Sequence, residues 1–213
     1  PNVIRFISSI GEYLYSYSED TLFVNQYINS DAEFEGMTVS QITAKAGIGK
    51  GTAYEYFSDK EEMIAKALFY NTNMFCQEVY QKSKEEQGFR NRMMKILLYM
   101  ESAVGESNCI FRLVHILTDN SLIGKKLKEL MESKEEDTIM VEDVMRLTIM
   151  EEFGEQSVSQ EKMMYLINST ISRILCYGMS FSNPYHCGNG KNEELRKMVC
   201  HSICREAEEL LGK

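Results

Sequence analysis

Hydroxyls, lysines and tyrosines gather at short spacing in residues 38–62, which read TVSQITAKAGIGKGTAYEYFSDKEE. Lys50, Thr52, Tyr54 and Tyr56 are the group types that hold phosphate oxygens, one by charge and three by O–H donation. Lys60 follows where a further helix would begin, a position at which a cation opposes the helix dipole unless an anion lies nearby. A second chemistry is conceivable at the C-terminal end. His186 and Cys187, with Cys200 and Cys204 in CHSIC, are soft-metal or redox ligands, and the last two fall one helical turn apart on one face. They also flank an apolar arc of Leu195, Val199, Ile203, Ala207 and Leu210, so buried thiols account for them equally well. No metal and no cofactor is expected, and metal or thiol-redox sensing is the alternative. Enzyme chemistry has no support: there is no Gly-rich phosphate loop, no nucleophile elbow and no carboxylate pair in an apolar setting.

The elements that must position the first group are short helices. Thr38 with Gln41 reads as a capping box that starts one of them, and Gly47 as its left-handed stop. Ala44 and Ala46 allow close helix approach, and Ile42, Ile48 and Phe57 share a miniature core. A second short helix is expected over 50–57, leaving Lys50, Thr52, Tyr54 and Tyr56 on a free edge. Together they make a helix-turn-helix. Ser58 with Glu61 reads as the cap of a long helix reaching 81 or beyond.

Helical periodicity extends over nearly the whole chain, and no alternating strand or hairpin turn appears. The fold class is therefore all-α. Residues 2–29 read as one helix or two. Further helices are expected near 89–104, 108–117, 121–133, 137–153, 159–181 and 193–211, with a loop at 182–192. Division at residue 60 would separate a DNA-binding domain, with its N-terminal extension, from a domain over 61–213. The net charge of −9 argues against nucleic-acid binding by bulk charge but not against a local basic surface. No stretch is long and apolar enough to span a membrane. The N-terminal apolar run lacks the basic flank and small-residue cleavage site of a secretory leader, so the six cysteines read as reduced thiols and the location as cytoplasmic.

The order Thr38, Ile42, Ala46, Gly47, Gly51, Thr52, Tyr54, Tyr56, Phe57, Lys60 and Met63 resembles the DNA-binding segment of the tetracycline-repressor (TetR) family over about 25 contiguous residues. Thr43 departs from that pattern where alanine is usual, and Gly49 where a capping hydroxyl is usual. The basic arm that often precedes the first helix is missing: residues 1–36 hold one arginine, no lysine and six acids. The resemblance implies a double-stranded DNA operator as partner. Thr38 and Ser40 would touch backbone phosphate, and Lys50, Thr52 and Ala53 would face base edges. Tyr54 and Tyr56 would meet phosphate or sugar, and Lys60 phosphate. It also implies a small-molecule effector, a homodimer and a role in transcription, usually repression; besides metal or thiol-redox sensing on the same scaffold, the other alternative is an apolar-ligand-binding helical module with weakened DNA binding.

The rest of the chain supplies candidates for those further roles. The run NCIFRLVHILT is apolar nearly all round, so its Phe111 is expected inside and its Arg112 and His115 need partners. Met93, Leu97, Met100 and Met145, with Tyr99 and Arg146, point toward the same interior. Methionine-lined cavities adapt to varied apolar ligands, although plain core packing explains any one methionine better. The two C-terminal helices carry wide apolar faces, and Ile167, Ile171, Ile174, Leu175, Leu195, Val199 and Ile203 are the expected dimer interface.

Overall fold

A computed structural model of the chain describes residues 7, 37–47, 49–107, 116–118, 120–154, 158–182 and 192–212. Expectations for residues 2–29 other than Ile7, and for Ile48, Phe111, Arg112, His115, His186 and Cys187, lie outside these. The fold is all-α, with no strand among the described residues. The helices are α1 (Val39–Lys45), α2 (Lys50–Tyr56), α3 (Lys60–Lys84), α4 (Phe89–Ser107), α5 (Leu122–Glu132), α6 (Val141–Phe153), α7 (Gln160–Ser182) and α8 (Asn192–Leu211).

Local chemistry sets these ends. The Ser121 hydroxyl accepts the Gly124 N–H at 3.0 Å to open α5. At α6 the Asp143 carboxylate accepts the Met140 N–H at 2.9 Å, so the helix starts at Val141 and not at 137 as expected. Gly154 stops it in the left-handed region, at φ 83°, with its N–H on the Met150 carbonyl.

The chain packs as two compact units: Pro1–Asn73 with Ser107–Thr138, and Met74–Glu106 with Ile139–Lys213. The first has its core in Met37, Val39, Ile42, Ala53, Phe57, Met63, Ile64, Leu68, Ile116, Ile123 and Leu127. In the second, α7 packs against both α6 and α8. Met93, Leu97, Met100 and Met145 are buried there, which makes them core. Tyr99 is half-buried, and the Arg146 guanidinium is turned along its own helix to Glu142 at 2.7 Å. A cavity of about 360 Å³ in this unit is lined instead by Gln87–Asn91, Glu152, Phe153, Cys204 and Glu208. The described members of the expected ligand-binding set do not line this cavity.

Three of the residues expected at a dimer interface are covered by the chain itself. Ile167, Ile174 and Ile203 are buried within the single chain, at 0%, 3% and 0% exposure. Ile171, Leu175, Leu195 and Val199 are half-buried. Among the described residues, the large apolar side chains left exposed on α7 and α8 are Met164, Tyr165 and Met198.

Two carboxylates tie the second unit together. Glu206 accepts from Arg173, from the Ser169 hydroxyl at 2.6 Å and from the Tyr165 hydroxyl at 3.2 Å. The Arg173 contact leads and overrides the upward pull of burial, holding the carboxyl at about 2. Burial also pulls Glu151 up, but Tyr80, Lys84 and Arg92 together outweigh it and hold it at about 2. A carboxylate depressed on folding stabilises the fold above its unfolded pKa near 4.5, and that stability is lost as pH falls toward 2. Acid unfolding followed by circular dichroism should therefore begin below that value. Glu206→Gln should flatten the profile and lower neutral-pH stability by on the order of 1–2 kcal/mol. Superimposable pH profiles for wild type and variant would remove the assignment.

Candidate nucleic-acid interface

The first unit presents a helix-turn-helix whose local geometry follows from its sequence. Thr38 opens α1: its hydroxyl accepts the Gln41 N–H at 3.2 Å, while the Gln41 side chain accepts the Thr38 N–H at 2.8 Å. The expected capping box is present. Gly47 takes φ 72°, a conformation that costs glycine nothing, and turns the chain toward α2. Gly49 caps α2 without a side-chain hydrogen bond. Thr43, the departure from the usual alanine, is buried and donates its hydroxyl to the Ser40 carbonyl at 3.3 Å. The polar atom is satisfied and the substitution tolerated.

α1 lays Val39 and Ile42 into the core, and α2 contributes Ala53 with Phe57 just beyond it. Ala53 is the one buried residue within α2, at 0% exposure. It cannot face base edges, which corrects that expectation: Ala53 belongs to the same buried core as Ile42 and Phe57. Ala44 is exposed, so it does not mediate the approach; Ala46 is half-buried against the core.

Everything else on α2 faces outward. Lys50 and Thr52 are exposed, Tyr54 is 48% and Tyr56 is 44% exposed. The Lys50 ammonium stands 6.0 Å from the centre of the Tyr54 ring, at the outer limit of a cation–π contact. Gly51 is exposed too, and a Cβ built on it meets nothing within 4 Å. Its lack of a side chain is therefore not demanded by the protein's own packing. Ser40 lies exposed on α1, next to the exposed Thr38 whose hydroxyl is already engaged in the cap.

The start of α3 differs from expectation by one residue. Asp59, not Ser58, is the cap: its carboxylate accepts the Glu62 N–H at 2.7 Å, and Glu62 in turn accepts the Ser58 N–H at 2.7 Å and hydroxyl at 2.6 Å. The reciprocal partner is thus Glu62 and not Glu61, because the helix begins at Lys60. Lys60 lies half-buried in that first turn.

Two acids at the start of α3 are internally compensated. Glu62 is held at about 2, chiefly by the Lys66 ammonium at 2.6 Å and then by Ser58. Burial pulls the Asp59 carboxyl up, but the Glu62 N–H and Lys126 pull it down further, to below its usual value. Lys126 reaches it from α5 at 3.0 Å, a contact 67 positions away in sequence. The exposed α2 face therefore keeps Lys50 as its cation while these two carboxylates carry their own counter-ions.

This arrangement can hold phosphate and reach into a groove: one solvent-facing helix with a cation, two phenols and a hydroxyl, fixed on a miniature core. Residues 30–67 match the family model described as bacterial regulatory proteins, tetR family. No curated protein and no solved structure matches the chain.

Proposed function

We propose that this chain, a bacterial regulatory protein of the tetR family by its residues 30–67 and hence a DNA-binding regulator of transcription, acts as a homodimeric repressor released by a small, largely apolar effector. The observation that carries the reading is α2, which buries only Ala53 and turns Lys50, Thr52, Tyr54 and Tyr56 to solvent. In this reading Lys50 and Thr52 meet base edges. Tyr54 and Tyr56 meet phosphate or sugar, as do Ser40, Lys60 and the capped start of α1 at Thr38. Ala53 sets how closely α2 rides on the core and touches no DNA.

Dimerisation is supported by Met164, Tyr165 and Met198, large apolar side chains left uncovered on two helices that already pack together. A two-fold dimer would set its recognition helices about 34–36 Å apart, or a multiple of that, on a palindromic site. Effector coupling is ordinary linkage: the effector favours a spacing that does not fit the operator. α3 is continuous from Lys60 to Lys84, so any tilt imposed on its later turns is passed along the backbone.

A salt-series binding assay on the protein's own upstream DNA against random duplex tests the reading; equal affinity for both would sink it. Gly51→Ala adds an orthogonal check. The added methyl meets nothing in the protein, so the variant should gain roughly 0.5 kcal/mol in stability. It should nevertheless bind the operator several-fold more weakly, because the methyl stands between backbone and DNA. A gain in both quantities would place the DNA on another face.

A further inference from the structure

Cys200 and Cys204 lie on α8, buried at 0% and 1% exposure, with their sulfurs 4.0 Å apart. The Cys200 thiol also lies 3.4 Å from the Arg90 carbonyl. Cys204 lines the cavity of about 360 Å³, at which Phe89 and Phe153 meet edge to face with ring centres 5.3 Å apart. That volume lies within the range of small-molecule sites, roughly 300–1,000 Å³.

Sulfur separation and ligand number together bear on three chemistries. A disulfide requires about 2.05 Å, so the helical turn would have to deform to close the remaining gap. A tetrahedral zinc ion with bonds of about 2.3 Å spans two sulfurs at about 3.8 Å, but a structural zinc site needs four ligands. Among the described residues no cluster of three or more His, Cys, Asp or Glu side chains is placed to hold a metal. A one-atom bridge satisfied by two protein sulfurs needs far less change in their separation than a disulfide does, and so asks less of the turn of α8.

We propose that Cys200 and Cys204 form a dithiol site for a soft, thiophilic centre of low coordination number, either copper(I) or a trivalent arsenic carrying one organic substituent. Thiolates select such centres over harder ions. With an arsenic oxide R–As=O, two As–S bonds form and the As–O bond breaks. Both thiol protons leave with that oxygen as one water, and no electron changes hands. With copper(I) the two thiols release their protons to solvent and two Cu–S bonds form, again without redox. The organic substituent would occupy the cavity beside Phe89 and Phe153. This site lies wholly in the second unit and does not depend on the DNA-binding reading.

The test uses the full chain and phenylarsine oxide. One equivalent should bind per chain and shield both thiols of the tryptic fragment 198–205, MVCHSICR, from maleimide under native conditions. Cys200→Ser and Cys204→Ser should each weaken binding at least tenfold. Copper(I) delivered from a chelator should show the same two-cysteine requirement if the site takes ions as well as arsenicals; binding of the arsenical alone restricts the class and still supports a dithiol site. Full alkylation of fragment 198–205 in the presence of the probe, an adduct on Cys76, Cys109, Cys176 or Cys187 in its place, or single variants within twofold of wild type would overturn the proposal. The fragment map is read on wild-type protein, so it decides the matter even if a serine variant fails to fold.

Discussion

Lys50→Ala should lower affinity for the operator by roughly tenfold or more, and should flatten the dependence of log affinity on log salt, because a cation is removed from the DNA-facing surface. A base-edge contact is worth about 1–3 kcal/mol of discrimination, so the loss should be larger on the operator than on random duplex. The physical case is that Lys50 is the exposed cation of α2, while the acids Asp59 and Glu62 at the start of α3 are paired with Lys126 and Lys66. Tyr54→Ala makes the informative contrast. It removes a neutral phenol, so affinity should fall on every duplex alike with little change in salt slope. The Lys50–Tyr54 contact at 6.0 Å is long enough that the lysine should keep its reach. Neither residue is in the core, so both variants should melt like wild type. Ile42→Ala is the opposite control: at 0% exposure its truncation should cost about 2–5 kcal/mol and abolish binding by unfolding the head. If Lys50→Ala leaves both affinity and slope unchanged, α2 is not the reading helix.

What was legible in sequence follows from the range of the interactions concerned. The capping box at Thr38 and Gln41, the left-handed turn at Gly47 and the exposed edge of α2 depend on residues within four positions, and each is found where expected. The cap of α3 was misplaced by one residue because Ser58 and Asp59 are both good caps, and Glu61 and Glu62 both good partners; only the geometry distinguishes them. The base-edge role of Ala53 comes from the resemblance alone; the pattern of α2 puts only Lys50, Thr52, Tyr54 and Tyr56 on the open edge, and Ala53 is buried. The neutralisation of Asp59 by Lys126 had no local signal, since it joins residues 67 positions apart.

Long helices fail differently. Ile167, Ile174 and Ile203 are apolar and rightly placed on α7 and α8, but periodicity cannot say whether a covering surface belongs to the same chain or to another copy. The phase does hold a usable signal. Met163, Leu166, Ile167, Thr170, Ile174 and Tyr177 form the buried stripe of α7, and Met164 and Tyr165 fall beside it on the open side.

That open side defines the second large effect. Met198→Glu should yield a folded monomer, with a solution mass near 24.6 kDa where wild type is near twice that value. Met198 is 63% exposed, and glutamate is as good a helix former as methionine, so the helix itself should not suffer. Two carboxylates brought into one apolar two-fold interface would have to be desolvated without partners, a cost of several kcal/mol that such a contact does not recover. Operator affinity should then fall by orders of magnitude, because each head binds without the other's contribution, while the salt slope should drop toward half. Ile203→Ala should behave in another way. The residue is buried within the chain, so its truncation should lower the melting temperature of the protein without first producing a stable monomer. A Met198→Glu protein that remains dimeric in sedimentation would move the interface off this face of α7 and α8. A monomer that still binds the palindrome at full affinity would separate dimerisation from DNA recognition altogether.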